Sequence, residues 1–168
     1  MSFLQDESPL GFSYACKTIA VDRLTLVPIL RSGLAMIDAV QSLLPACASV
    51  HHLGLFREKA SLQPVEYYNN LPRSADSVVP QLAILLDPVI ATGGTACAAI
   101  QTLREWGVQR IIIVSVLGAV EGVLQAANEW SEGVEIWLAA LDDELTATGY
   151  IKPGVGDIGD RLFGTSGR

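Results

Sequence analysis

The stretch ILLDPVIATGGTACAAI, residues 84–100, decides the fold. It opens on an apolar run that delivers Asp87 to the tip of a strand. Thr92, Gly93, Gly94 and Thr95 follow and open a helix. Paired glycines let the backbone curl so that consecutive N–H groups point inward. The helix N-terminus adds its unpaired amides and the positive end of its dipole. Thr92 and Thr95 bring hydroxyls. This is the chemistry of a phosphate cradle with an acid at its mouth. No Lys follows the glycines, which excludes a Walker A loop, and the spacing is not GxGxxG. The plainer alternative is a strand–turn–helix junction with Thr95 as its N-cap.

The same alternation continues outward on both sides. Leu24–Leu30 (LTLVPIL) reads as a strand. Leu34, Ile37, Val40, Leu43 and Leu44 then recur at helical spacing up to Pro45. Ser49–Phe56 and Gln81–Leu86 read as strands, and Thr95–Trp106 as a helix with Gly107 at its C-cap. Arg110–Leu117 is a strand rich in β-branched residues, Gly122–Trp130 a helix, and Val134–Leu141 another strand. Continuous apolar strands are buried on both faces. Alternating with helices, they imply βαβ crossovers. The expected fold is α/β: one domain over residues 1–168, with a mainly parallel twisted sheet flanked by helices. Ligands bind such sheets outside the carboxyl ends of the strands.

Composition agrees. Half of the 168 residues are hydrophobic and only 17% are charged, which excludes a disordered chain. The longest apolar run, Ile111–Val120, lies between Arg110 and Glu121 and is far short of the ~20 residues of a membrane-spanning helix. The polar, acidic start MSFLQDESPL has no signal-peptide pattern, so a cytoplasmic protein is expected. Cys16, Cys47 and Cys97 then read as buried thiols in a reducing compartment. His51 and His52 are adjacent and no pair has metal-ligand spacing, so no protein metal site is expected. A net charge of −7 argues against a nucleic-acid partner. A small anion remains possible if local arginines, backbone amides or a metal ion grip it.

Three further loops carry chemistry. Arg31, Ser32 and Gly33 follow the first strand; an arginine there can clamp phosphate oxygens bidentately, or simply cap a surface turn. Arg57 sits just past the second strand in GLFREKASLQPVEYYNNLP, residues 54–72. With Tyr67, Tyr68, Pro64 and Pro72 this stretch reads as a β-hairpin arm that either covers a site or packs on the domain or a partner. GYIKPGVGDIGDRLFGT, residues 149–165, is glycine-rich, with Asp157 and Asp160 as carboxylates and Tyr150, Ile151, Leu162 and Phe163 as expected anchors. A backbone-lined slot of this kind suits a planar heterocycle.

Together the four segments resemble the uracil phosphoribosyltransferases, a branch of the type I phosphoribosyltransferases. The motifs are VPILRSG, LFRE…LQPVEYYNNLP, LLDPVIATGGT and YIKPGVGDIGDRLFGT, in one register over about residues 24–165. The resemblance implies transfer of 5-phosphoribose from phosphoribosyl pyrophosphate (PRPP) to uracil, giving UMP and pyrophosphate. It implies PRPP contacts at Arg31, Arg57, Asp87, Pro88, Val89, Ile90, Ala91, Thr92, Gly93, Gly94, Thr95 and Asp157. It implies uracil contacts at Ile151, Gly156, Asp157 and Ile158. Asp87, Asp157 and Arg31 are the expected catalytic residues, with Mg²⁺ carried on PRPP and a homodimer or higher homo-oligomer as the assembly. Ser32, Val120 and Ile158 stand where relatives commonly have alanine, proline and alanine. Residues 1–23 are expected to stand outside the match, in place of an N-terminal helical segment. The alternative function is a non-catalytic regulator of the same fold that binds PRPP or nucleotide.

Overall fold

The computed structural model describes residues 2–57, 64–72 and 78–165, with backbone only for Ser2, Phe3 and Arg57. An antiparallel hairpin comes first, strands β1 (Ser2–Glu7) and β2 (Ser13–Thr18), followed by a 3₁₀ turn at Val21–Arg23. Strand β3 (Leu24–Leu30) has the bounds expected from sequence. A 3₁₀ turn at Ser32–Met36 leads into the short helix α1 (Ile37–Gln41). Then come β4 (Ser49–Val50), β5 (Leu53–Arg57), β6 (Pro64–Asn69), β7 (Leu82–Leu86) and β8 (Val89–Ile90). Helix α2 (Gly94–Trp106), β9 (Arg110–Ala119), α3 (Val120–Glu129) and β10 (Val134–Asp142) complete the alternation. The chain closes with β11 (Glu144–Leu145), β12 (Ile151–Lys152) and helix α4 (Ile158–Phe163).

The main sheet has the order β10-β9-β7-β3-β5-β6, with β4 beside β3 and β8 beside β9. Its strand pairs are parallel except β5–β6. The chain leaves β3 toward β5 on one side and returns to β7 on the other. The crevice beyond the carboxyl ends of β3 and β7 is therefore the switch point at which open parallel sheets bind ligands. In register, Pro28 faces Leu86, so the tips bearing Arg31 and Asp87 are neighbours.

Both faces of the central strands are buried, as their continuous apolar character requires. Val27, Ile29, Leu85, Ile111 and Ile113 pack with Ala96, Ala99, Ile100 and Leu103 of α2 and Ala126 of α3. On the opposite face Leu24, Leu26 and Leu86 pack with Met36, Ile37, Val40 and Leu44. Helix α2 ends where Gly107 turns left-handed (φ 108°) and its N–H reaches the carbonyls of Leu103 and Arg104, the C-cap expected of a glycine.

Some expectations are corrected. The helix expected over Leu34–Leu44 is shorter and starts as a tight 3₁₀ turn. That rotates its apolar face, so Leu34 and Leu43 stay exposed. Ser49–Phe56 is interrupted at His51–His52, where the His52 N–H is drawn 2.6 Å to Asn70 Oδ1. Strand β10 is an edge strand with alternating burial, and its Trp137 is 61% exposed. Only Cys97, on the inner side of α2, is buried among the three thiols; Cys47 lies exposed after Pro45 and Cys16 is intermediate on the hairpin. The last glycine-rich stretch contains α4, because Asp157 caps a helix there.

Candidate functional site

The strand–turn–helix expected at Asp87–Thr95 forms where sequence places it. Asp87 directly follows β7, and the chain then pairs with β9. The N–H groups of Val116 and Leu117 both donate to Pro88 O at 3.0 Å, and Asp87 N–H donates to Val114 O at 3.3 Å. The turn that follows is set by glycine: Gly93 is left-handed (φ 85°) and serves as the N-cap of α2. Thr95 is thus not the cap; it lies inside the first turn and lines the cradle. Asp87, Val89, Ile90, Ala91, Gly93, Thr95 and Ala96 enclose about 60 Å³. A space this small suits a compact group better than a heterocycle. Pro88, Thr92 and Gly94 belong to the same loop without lining this cavity.

Gly122 was not legible as part of the site. It lies in the first turn of α3, and any side chain on it would collide with the carbonyl of Ala91 and the nitrogen of Gly93. The cradle backbone therefore rests directly on α3. Gly33 plays the same part under the Arg31 loop, where a Cβ would collide with Leu86 O.

Asp87 is 7% exposed. Burial pushes its carboxyl up to about 7, and the N–H of Val89 pulls it partly back. A carboxyl poised there passes between neutral and charged near neutral pH, at the wall of this cavity.

A second, larger cleft of about 320 Å³ opens beside the first strand tips. Leu30, Arg31, Ser32, Leu55, Phe56, Tyr67, Asp157, Ile158 and Gly159 line it. Residues distant in sequence thus meet: the Arg31 loop, the arm strands β5 and β6, and the start of α4. Arg31 is half exposed; its Nη2 lies 3.1 Å from Asp160 Oδ1 and its Nη1 3.1 Å from Thr165 Oγ1. The guanidinium also stands over the Phe163 ring, 5.7 Å from its centroid. Asp157 caps α4 by accepting the N–H of Asp160 at 3.0 Å.

Ile151 does not reach this cleft. It is buried with Leu117 and Ala119, and Val89, Ala91 and Val155 pack against the same cluster. It joins the last loop to the phosphate loop from behind. Of the expected anchors only Ile151 is buried; Tyr150, Leu162 and Phe163 are each more than 40% exposed. Gly156 (φ 72°) turns the chain in open space beside the cleft. The Arg57 side chain and the tip of the hairpin arm, residues 58–63, lie outside the described residues.

Comparison with known proteins bears on this geometry. The family model for uracil phosphoribosyltransferase matches residues 2–165, so the match takes in the N-terminal hairpin, ahead of the Leu24 at which the sequence motifs begin. The chain is 54% identical over 144 residues to the uracil phosphoribosyltransferase of Roseiflexus castenholzii, covering 86% of this chain and 67% of that one. It is 47% identical over 162 residues to that of Bacillus thuringiensis, covering 96% and 75%. A solved Aquifex aeolicus structure superposes with a TM-score of 0.84 at 30% identity, over 99% of this chain and 77% of the other. A hypoxanthine phosphoribosyltransferase from Staphylococcus aureus shares the fold at a TM-score of 0.51 and 12% identity, over 73% and 63%. A cradle and a cleft built on neighbouring strand tips, in a chain matched almost end to end, place this protein in the uracil phosphoribosyltransferase family.

Proposed function

We infer that the chain transfers 5-phosphoribose from PRPP to N1 of uracil, forming UMP and pyrophosphate. The observation that carries this is the meeting of Arg31 with Asp157 and Ile158 around one cleft, next to the strand tip that bears Asp87.

Breaking the C1–O bond of PRPP develops positive charge on the ribose and negative charge on the leaving pyrophosphate. Such a reaction needs positioning and preplaced charge more than covalent catalysis. The amides and hydroxyls of Ala91–Thr95 hold the 5′-phosphate. Asp87 accepts the ribose hydroxyls and, once ionised, stabilises the ribose cation. Arg31 and Arg57 take the pyrophosphate. Uracil lies against Gly156, Asp157 and Ile158, held mostly by backbone groups, with Ile151 fixing their loop from behind. Ile158 lines the cleft and narrows the slot for the base.

Mg²⁺ belongs to this reading as part of the substrate, bound to the pyrophosphate oxygens. Magnesium usually takes one or two carboxylates plus substrate phosphates, not an all-protein cage. Among the described residues no cluster of three or more His, Cys, Asp or Glu could hold a metal.

Asp157 or a backbone carbonyl is the candidate base for uracil N1. Asp157 Oδ1 is engaged in capping α4, which leaves Oδ2 for the proton. Turnover and the pH–rate profile of Asp157→Asn test this: a large loss of kcat is expected, and an unchanged profile and rate remove Asp157 from the role. A cytoplasmic homodimer or higher homo-oligomer completes the reading. Among the described residues no helix is long and apolar enough to cross a membrane. Large apolar side chains left exposed, such as Trp137 and Val116, support self-association, which sedimentation measures.

The decisive experiment is UMP formation from PRPP, Mg²⁺ and uracil, with cytosine and orotate in parallel. Turnover of uracil alone is expected. Turnover of none of them sinks the enzyme, and PRPP binding without turnover would favour the regulator.

A further inference from the structure

Arg31 reaches across the cleft into a small network that its role in PRPP binding does not itself require. Asp160 lies 129 residues away in sequence, yet its Oδ1 accepts from both Arg31 Nη2 (3.1 Å) and Thr165 Oγ1 (2.7 Å). Thr165 Oγ1 in turn accepts from Arg31 Nη1 at 3.1 Å. The ring closes on itself, and the backbone makes it possible. Gly164 is left-handed (φ 65°) and ends α4, and the N–H of Thr165 returns to Asp160 O at 3.1 Å. Phe163 lies beneath the guanidinium, its ring centroid 5.7 Å from Arg31 Cζ.

A guanidinium has five N–H donors in a fixed plane. Among the described residues two of them are used, on Thr165 and Asp160, which leaves donors on the same plane for an anion. Free arginine side chains lose rotamer freedom when they bind, and one already held in plane loses less. The Thr165 hydroxyl, and then the bond and charge of Arg31, hold the Asp160 carboxyl below its ordinary range against desolvation. Asp160 is therefore ionised at neutral pH and remains an acceptor throughout.

We propose that Asp160, assisted by Thr165, is a positioning residue for Arg31: it fixes the guanidinium plane toward the pyrophosphate and couples that grip to α4, whose first residue lines the base slot. The proposal rests on the reading of Arg31 as a PRPP contact.

Calorimetric affinity for Mg-PRPP and the KM for PRPP test it, on the full chain, in a mutant cycle. Asp160→Ala is expected to weaken PRPP by about tenfold while kcat changes little. Thr165→Val should shift it the same way by less. In an Arg31→Gln background Asp160→Ala should add nothing, because the residue acts through Arg31. A purely structural role would instead lower the unfolding midpoint and add in full to Arg31→Gln, which overturns the proposal. So does an unchanged PRPP affinity. A carboxylate this close also repels pyrophosphate, and tighter binding by Asp160→Ala would make it a competitor for Arg31 and overturn the proposal too. Asp160→Asn keeps the acceptor without the charge and is expected to stay within about threefold of the parent; should the alanine variant not fold, it and Thr165→Val decide. A parent that binds PRPP without forming UMP sinks the turnover reading while this cycle still stands. A parent that binds no PRPP overturns both.

Discussion

The two ends of the site are built by different means. The phosphate end grows out of the core: Leu86 and Ile90 are at most 2% exposed, the loop between them is tied to β9 by backbone bonds, and its turn rests on Gly122. The base end hangs on one buried residue, Ile151, and on side-chain bonds near the surface. Asp142 Oδ2 accepts from Gly154 N–H at 3.3 Å, Arg161 Nη1 donates to Val155 O at 3.0 Å, and Lys152 pairs with Glu144 at 2.8 Å. In the proposed reading, the phosphoribosyl end therefore rests on the core, and the base end rests on a segment tied mostly at the surface.

Core truncation breaks this comparison most directly. Ile90→Ala, behind the cradle, is expected to cost about 2–5 kcal/mol in denaturant unfolding. Leu162→Ala, at the base end and 45% exposed, should cost less than ~1 kcal/mol. Equal costs would show that the two ends are equally built into the core.

Gly122→Ala comes next. Alanine favours a helix over glycine by up to about 1 kcal/mol, so helix propensity predicts stabilisation. The collision with Ala91 O predicts the reverse: a loss of about 1–3 kcal/mol and weaker PRPP binding. A gain in stability with full PRPP affinity would show that the cradle does not rest on α3.

Asp87 sharpens the comparison through pH. Its carboxyl is raised from 3.8 to about 7 in the folded chain. The folded state therefore keeps a proton that the unfolded state has released. Stability contributed by the neutral form is present below about 3.8 and is lost as pH rises to about 7. Asp87→Asn should remove that dependence, making the variant increasingly more stable than the parent across this window, by at most on the order of a few kcal/mol near neutral pH. Parallel pH–stability curves for the two would count against a buried, neutral Asp87.

The smallest effect belongs to the exposed pair at the base end. Lys152→Ala breaks the bond to Glu144, and both partners are more than 60% exposed. A change within about 0.5 kcal/mol is expected. A larger loss would mean that surface ion pairs carry the base end, contrary to the role assigned to Ile151.

Much of this was legible in sequence because its causes are local. Leu24–Leu30, broken only by Thr25, and Leu82–Leu86 are apolar runs of the kind that a sheet buries on both faces. Gly107 ends α2 because the chain needs a left-handed residue there. The N-terminal hairpin and α4 escaped notice because both are short and largely exposed, so they leave no periodic apolar pattern. The broken Ser49–Phe56 strand escaped because its interruption depends on Asn70, on the return path of the arm.

The sequence by itself determined the parallel sheet, the cradle at Asp87–Thr95 and the kinship of the four motifs, since each follows from neighbouring residues: an apolar run, paired glycines, a strand tip. Only the tertiary structure decided that Gly122 carries the cradle, that Ile151 works from behind, and that Arg31 is held by Asp160 and Thr165. Those facts depend on where folding brings distant segments, and an exposed arginine reads alike in sequence whether it meets solvent or a carboxylate 129 residues away.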